Sequence, residues 1–129
     1  MLPISNEMKI LLVDDDAFLR DMYATKFSQK GQTVDVAETA EIALKKLHEQ
    51  TYDVVLLDMV MPGMNGIALL KEVTDGKLGG EPICIMLSNQ SEDSDKQAAT
   101  EAGAKGYIVK AELIPSEVVD EVLRLVSKK

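Results

Sequence analysis

Five short segments of strand character, each followed by a stretch of helical periodicity or a helix-capping signal, constrain this 129-residue chain more than any other feature. They are Lys9–Val13 (KILLV), Thr33–Val36, Val54–Leu57 (VVLL), Ile83–Leu87 (ICIML) and Gly106–Val109. Apolar residues recur at helical spacing in Phe18, Leu19, Met22, Tyr23 and Phe27, then Ala43, Leu44 and Leu47, then Ile67, Leu70 and Val73. Val118, Val119, Val122, Leu123 and Val126 form a last such face, in a helix from about Ser116. Gly31 and Gly103 are natural helix stops, Thr39 and Ser91 natural N-caps, Asn65-Gly66 a helix start, and Asp75–Pro82 reads as a turn. Strands alternating with helices predict an α/β fold around a parallel sheet. Strands covered on both faces read as apolar runs, not as alternating ones. Right-handed crossovers then bring all five strand C-termini to one edge. A doubly wound sheet of order 2-1-3-4-5 reverses direction between its first and third strands, and ligands bind at that reversal.

Four of the five strands end on conspicuous polar groups. The first runs into Asp14, Asp15 and Asp16, the third stops on Asp58, the fourth on Ser88 and the fifth on Lys110. Each has an ordinary local reading. Asp58 caps a strand as easily as it reacts, the acidic triplet suits a helix N-terminus, and Ser88 and Lys110 fit a turn and a solvated strand end. The fold, however, gathers them. Asp14, Asp15 and Asp58 cannot share a small space without a counter-charge. Oxygen donors in such a cleft suit Mg2+, with Mn2+ as the alternative ion. A metal, a lysine and a hydroxyl around one carboxylate suit phosphoryl transfer, in which catalysis is mostly positioning and neutralisation. Asp58 would be the nucleophile, Lys110 would neutralise phosphoryl oxygens, and Ser88 would donate a hydrogen bond to them.

Composition narrows the partners. The net charge of −8, with no cluster of Lys and Arg, argues against direct nucleic-acid binding. No apolar run reaches membrane-spanning length. The N-terminus shows no basic region followed by an apolar stretch, so no signal peptide is expected. The single cysteine, Cys84, lies within an apolar strand and suits a buried hydrophobe in a reducing compartment, so a cytoplasmic protein is expected. Residues 1–8 read as a lead-in and 9–129 as one domain, with an aliphatic core, since only 4% of the chain is aromatic.

The acidic pair in ILLVDDD, the phosphoacceptor context DVVLLDMVMPGMNG, the hydroxyl in CIMLSNQ and the lysine in AGAKGYIVKAE stand in order over nearly the full length. In these the chain resembles the receiver domain of two-component response regulators, of the stand-alone, chemotaxis-regulator type. The resemblance implies a flavodoxin-like (βα)5 fold, with Asp58 phosphorylated by a histidine kinase or phosphotransfer protein. It implies Mg2+ held by Asp14, Asp15, Asp58 and the backbone carbonyl of Val60, Asp15 directly and Asp14 partly through water. Ser88 and Tyr107 match the family's switch pair, whose movement is reported on the surface of the fourth helix, fifth strand and fifth helix. The family also catalyses its own dephosphorylation. The family usually has proline after the lysine. Here it is Ala111, and a cis bond to a non-proline costs about 2.5–4 kcal/mol, so a trans peptide is expected. The target implied is a downstream protein or a fused output domain, with a phosphorylation-dependent homodimer among the implied states. His48, on the second helix, is expected far from the site.

Two rivals fit less of the chain. A haloacid-dehalogenase-type phosphatase also begins on Asp-x-Asp but needs a further acidic pair after the lysine, and Asp120-Glu121 lie inside the last helix. A flavodoxin-like cofactor binder wants a phosphate cradle after the first strand, where three aspartates would repel phosphate. A receiver that docks without being phosphorylated is the third alternative.

Overall fold

The computed structural model describes residues 7–127, so most of the expected lead-in, residues 1–6, lies outside the described residues. Five parallel strands form one sheet: β1 (Lys9–Val13), β2 (Thr33–Ala37), β3 (Val54–Leu57), β4 (Ile83–Ser88) and β5 (Gly106–Val109). Their order is β2-β1-β3-β4-β5, as expected. Between and after them run α1 (Ala17–Gln29), α2 (Ala40–Glu49), α3 (Gly66–Gly76), α4 (Asp93–Ala102) and α5 (Pro115–Ser127).

The central strands are apolar on both faces because both faces are covered. Leu11, Val13, Val55, Leu57 and Met86 pack with buried residues of α2, α3 and α4. Their neighbours Ile10, Leu12, Val54, Leu56, Ile85 and Leu87 pack with Tyr23 and Phe27 of α1 and Val118, Val119 and Val122 of α5. The period-two alternation of strand side chains divides a continuous apolar run between two cores. In register, Val13 lies beside Leu57 and Leu57 beside Met86, so β1, β3 and β4 deliver their last residues to one edge.

Several local expectations need correction. Ser91 does not cap α4. Glu92 does, in a reciprocal box with Asp95, because each side chain there reaches the other's backbone N–H. The stretch 75–82 is not simply a turn, since α3 continues through Gly76 and a single 3-10 turn follows at Leu78–Gly80. Within the first expected helical face, Tyr23 and Phe27 are buried but Phe18 is 72% exposed. Thr39 and Asn65 do cap α2 and α3, each accepting from the N–H three residues on. Gly103 ends α4 at φ 115, where a Cβ would come within 2.7 Å of Thr74 Oγ1.

Candidate functional site

Asp14 directly follows β1 and inherits its burial, being 1% exposed. Its N–H, its carbonyl and one carboxylate oxygen are hydrogen-bonded. Its N–H donates to the Ala37 carbonyl at 3.1 Å. Oδ1 accepts the Asp16 N–H at 2.9 Å, and its carbonyl accepts Arg20 Nη1 at 2.9 Å. Asp16 caps α1 by accepting the Leu19 N–H at 3.1 Å. The acidic triplet therefore divides: Asp16 serves the helix, Asp14 turns into the sheet edge, and Asp15 stays exposed between them.

Asp58, after β3, is 9% exposed. Its Oδ1 accepts the Val60 N–H at 3.2 Å, and its own N–H donates to the Val13 carbonyl at 3.1 Å. The loop beyond is closed at its far end, where the Gly66 N–H donates to the Met59 carbonyl at 2.8 Å. The first turn of α3 lies so close that a Cβ on Gly66 would stand 2.1 Å from the Asp58 carbonyl oxygen. Only glycine permits this approach.

Lys110 closes the site from β5. Its ammonium, 8% exposed as a residue, lies 2.9 Å from Asp58 Oδ2 and 2.6 Å from Asp14 Oδ2. The approach to Asp14 is off the hydrogen-bond direction, so that contact is an ion pair, and buried Asp14 Oδ2 makes no directed hydrogen bond. Burial pushes the Asp14 carboxyl up, outweighing the opposing pull of Lys110 and of the Asp16 N–H. Burial alone would lower the Lys110 ammonium, but Asp14 and Asp58 outweigh it and hold it above the ordinary lysine range. The Lys110–Ala111 peptide is trans, as the chemistry of Ala111 requires.

One oxygen from each of Asp14, Asp15 and Asp58 lies within 4.8 Å of the others. Three oxygen donors with one buried oxygen lacking a directed partner fit a hard divalent cation. One lysine cannot neutralise three carboxylates, and a divalent cation would complete the charge.

Ser88 is 1% exposed at the end of β4, and its Oγ accepts the Gln90 N–H at 3.2 Å. Tyr107 donates its hydroxyl to the Gln90 carbonyl at 2.6 Å. Burial, with Asp95 adding to it, pushes the Tyr107 phenol up against a hydrogen bond with Ser88 that lowers it. Both residues thus hold the two ends of one residue, Gln90. His48 lies exposed near the end of α2, away from the edge, and Cys84 is buried in β4.

The structure brings Asp14, Asp15, Asp58 and Lys110 together, and places Ser88 at the end of β4, linked to Tyr107 of β5 through Gln90. Gln90 and Arg20 are the additions. Both act through backbone groups, which leave little trace in a sequence pattern, although Asp16 and Arg20 stand at a helical i, i+4 spacing that signals neighbours.

Comparison with known proteins agrees with this geometry. The family model described as "Response regulator receiver domain" matches residues 10–122. Transcriptional regulatory protein ResD of Bacillus subtilis is 37% identical over 124 residues, covering 96% of this chain and 50% of that protein. The phosphate regulon transcriptional regulatory protein PhoB of Escherichia coli is 32% identical over 114 residues, covering 88% of this chain and 49% of that protein. The chain thus spans about half the length of these curated relatives. Among solved structures, chemotaxis response regulator CheY4 of Vibrio cholerae is similar at a TM-score of 0.84 and 29% identity, covering 94% of this chain and 99% of that one. The receiver domain of Francisella response regulator 1452 is similar at 0.83 and 28%, covering 94% and 98%. No helix among the described residues is long and apolar enough to cross a membrane. A sheet edge with this set of groups, on a chain matched from residue 10 to residue 122, makes the protein a member of the response regulator receiver family.

Proposed function

We propose that the chain, as one receiver unit over residues 9–129, accepts a phosphoryl group on Asp58 from the phosphohistidine of a histidine kinase or phosphotransfer protein. The observation that carries this reading is the Lys110 ammonium bridging Asp58 and Asp14 inside a cluster of three carboxylates. An Asp58 carboxylate oxygen attacks phosphorus in line, the P–N bond breaks as the P–O bond forms, and the imidazole leaves. Lys110 then turns its charge to the phosphoryl oxygens, and Ser88 exchanges the Gln90 N–H for one of them. Asp14, Asp15, Asp58 and the Val60 carbonyl would hold Mg2+, or Mn2+ in its place, which supplies charge neutralisation on the phosphoryl oxygens. The same groups support self-catalysed dephosphorylation by water. The chain is thus a signalling phosphoacceptor and not an enzyme with a free substrate.

The switch follows from the residue that Ser88 and Tyr107 share, Gln90. When Ser88 leaves the Gln90 N–H, the loop that also accepts Tyr107 is released, so one charge event biases the surface formed by α4, β5 and α5. A protein phosphodonor suits the apolar groups beside the site. Of four large exposed hydrophobics among the described residues, Phe18, Val60 and Ile114 lie on segments following strand C-termini. The output is a protein target or a fused output domain, in keeping with the regulators named above, and the unit acts in the cytoplasm without itself binding nucleic acid. A phosphorylated homodimer is one form the output can take.

Incubation with acetyl phosphate and Mg2+, followed by intact mass, tests the reading. One added phosphoryl group, absent with EDTA and absent in Asp58→Asn, is expected. A gain that survives Asp58→Asn, or no gain at all, overturns it.

A further inference from the structure

Arg20 takes no part in the chemistry proposed above, yet its guanidinium reaches the acidic turn. Its backbone N–H donates to the Asp16 carbonyl at 2.8 Å, and its Nη1 donates to the Asp14 carbonyl at 2.9 Å. The first is the ordinary i to i−4 bond of α1, so what the side chain itself holds is the Asp14 carbonyl, on the peptide that leads into Asp15. Asp15 itself is exposed, and its carboxylate accepts no hydrogen bond among the described residues. Its direction is therefore set by the backbone on either side and by no hydrogen bond of its own.

The choice of partner is informative. In a chain of net charge −8, with Asp15, Asp16, Asp21 and Glu38 within reach in sequence or lining the same small cavity, an arginine ordinarily finds a carboxylate. Arg20 forms no ion pair among the described residues, and its Nε is buried without a hydrogen-bond partner. Leaving a guanidinium donor unmet costs free energy. The side chain accepts that cost to reach a neutral carbonyl, so the carbonyl contact is the one its position serves.

We infer that Arg20 is a positioning residue for the metal site: by holding the carbonyl of the Asp14–Asp15 peptide with its guanidinium it aims the Asp15 carboxylate at the cation. The inference rests on the reading that Asp14, Asp15 and Asp58 bind Mg2+. Its planar fork matters as well as its charge, since a lysine presents a point charge on a flexible stem.

Charge and positioning predict opposite signs. A cation near a Mg2+ site repels the ion, so if Arg20 acted only by its charge, Arg20→Met would tighten Mg2+ binding and Arg20→Lys would leave it unchanged. A positioning role predicts that both substitutions weaken binding, by about 10–100-fold, the usual effect of removing a group that orients a metal ligand. Isothermal titration calorimetry with MgCl2 on the wild type, Arg20→Met and Arg20→Lys reads this directly. Melting temperatures in EDTA establish that each variant is folded at the titration temperature. Weakening in both variants supports the inference. Tightening in Arg20→Met, or unchanged affinity in either variant while the wild type binds, overturns the inference and leaves the proposed function standing. Absence of Mg2+ binding by the wild type overturns both.

Discussion

Replacing Lys110 by methionine removes the one ammonium within the carboxylate cluster while keeping a stem of similar length. In the wild type this ammonium sits 2.6 Å from Asp14 Oδ2 and 2.9 Å from Asp58 Oδ2, with all three side chains at most 11% exposed. Removing one partner of a buried pair leaves an uncompensated charge and costs about 3–5 kcal/mol. Because Asp15 opens the cluster to water, the lower end applies, about 3 kcal/mol. For a chain of this length that is a fall in melting temperature of roughly 10 °C. The measurement is thermal unfolding by circular dichroism, first in EDTA and then across a MgCl2 titration. In Lys110→Met the cation meets carboxylates with no competing ammonium, so Mg2+ raises the melting temperature more than it does in the wild type. Mg2+ at a hundred times its dissociation constant adds about 2.7 kcal/mol, enough to offset most of the loss. A loss in EDTA under about 1 kcal/mol, or a Mg2+ response no larger than that of the wild type, refutes the charge-compensation argument.

Gly66→Ala forces a Cβ to 2.1 Å from a backbone oxygen that cannot rotate away. It is expected to cost about 3 kcal/mol in urea unfolding, the upper end for overpacking, and to slow modification of Asp58; an unchanged midpoint contradicts the packing argument. Phe18→Ser, at a side chain 72% exposed, should leave stability within about 0.5 kcal/mol and labelling by acetyl phosphate intact. Transfer from a phosphorylated protein donor should fall by about tenfold or more; equal loss with both donors argues against a docking role. Burial raises the Cys84 thiol from 9.0 to about 11, a difference of two pH units, so alkylation of native protein at pH 8 should run about a hundredfold slower than in denaturant. Since the folded value is raised, the associated stability is complete below pH 9 and is lost as pH climbs towards 11. A Cys84→Ala variant should lack this part of the alkaline loss, and parallel curves for the two proteins would refute it.

Much of the architecture was legible because it is written in short-range signals. The runs VVLL and GYIV coincide with β3 and β5, and Thr39, Asn65 and Gly103 act as the caps their chemistry predicts. Where several residues compete for one local role, local chemistry did not choose. Ser91 and Glu92 can both cap a helix, and the reciprocal partner Asp95 favoured Glu92. Gly76 is kept as the last residue of α3, and the left-handed cap falls on Lys77, at φ 52.

The sequence by itself determined which groups meet at the edge. Aliphatic runs become central parallel strands, right-handed crossovers align their C-termini, and residues 14, 58, 88 and 110 can then go nowhere else. Only the tertiary structure decided how those groups are held. That Lys110 bridges two aspartates, that Gly66 rests on the Asp58 carbonyl, and that Arg20 holds the Asp14 carbonyl are all matters of ångströms between distant or backbone atoms. Residue periodicity specifies which side of an element faces the core, whereas a contact of 2.9 Å depends on the packing of every element beneath it.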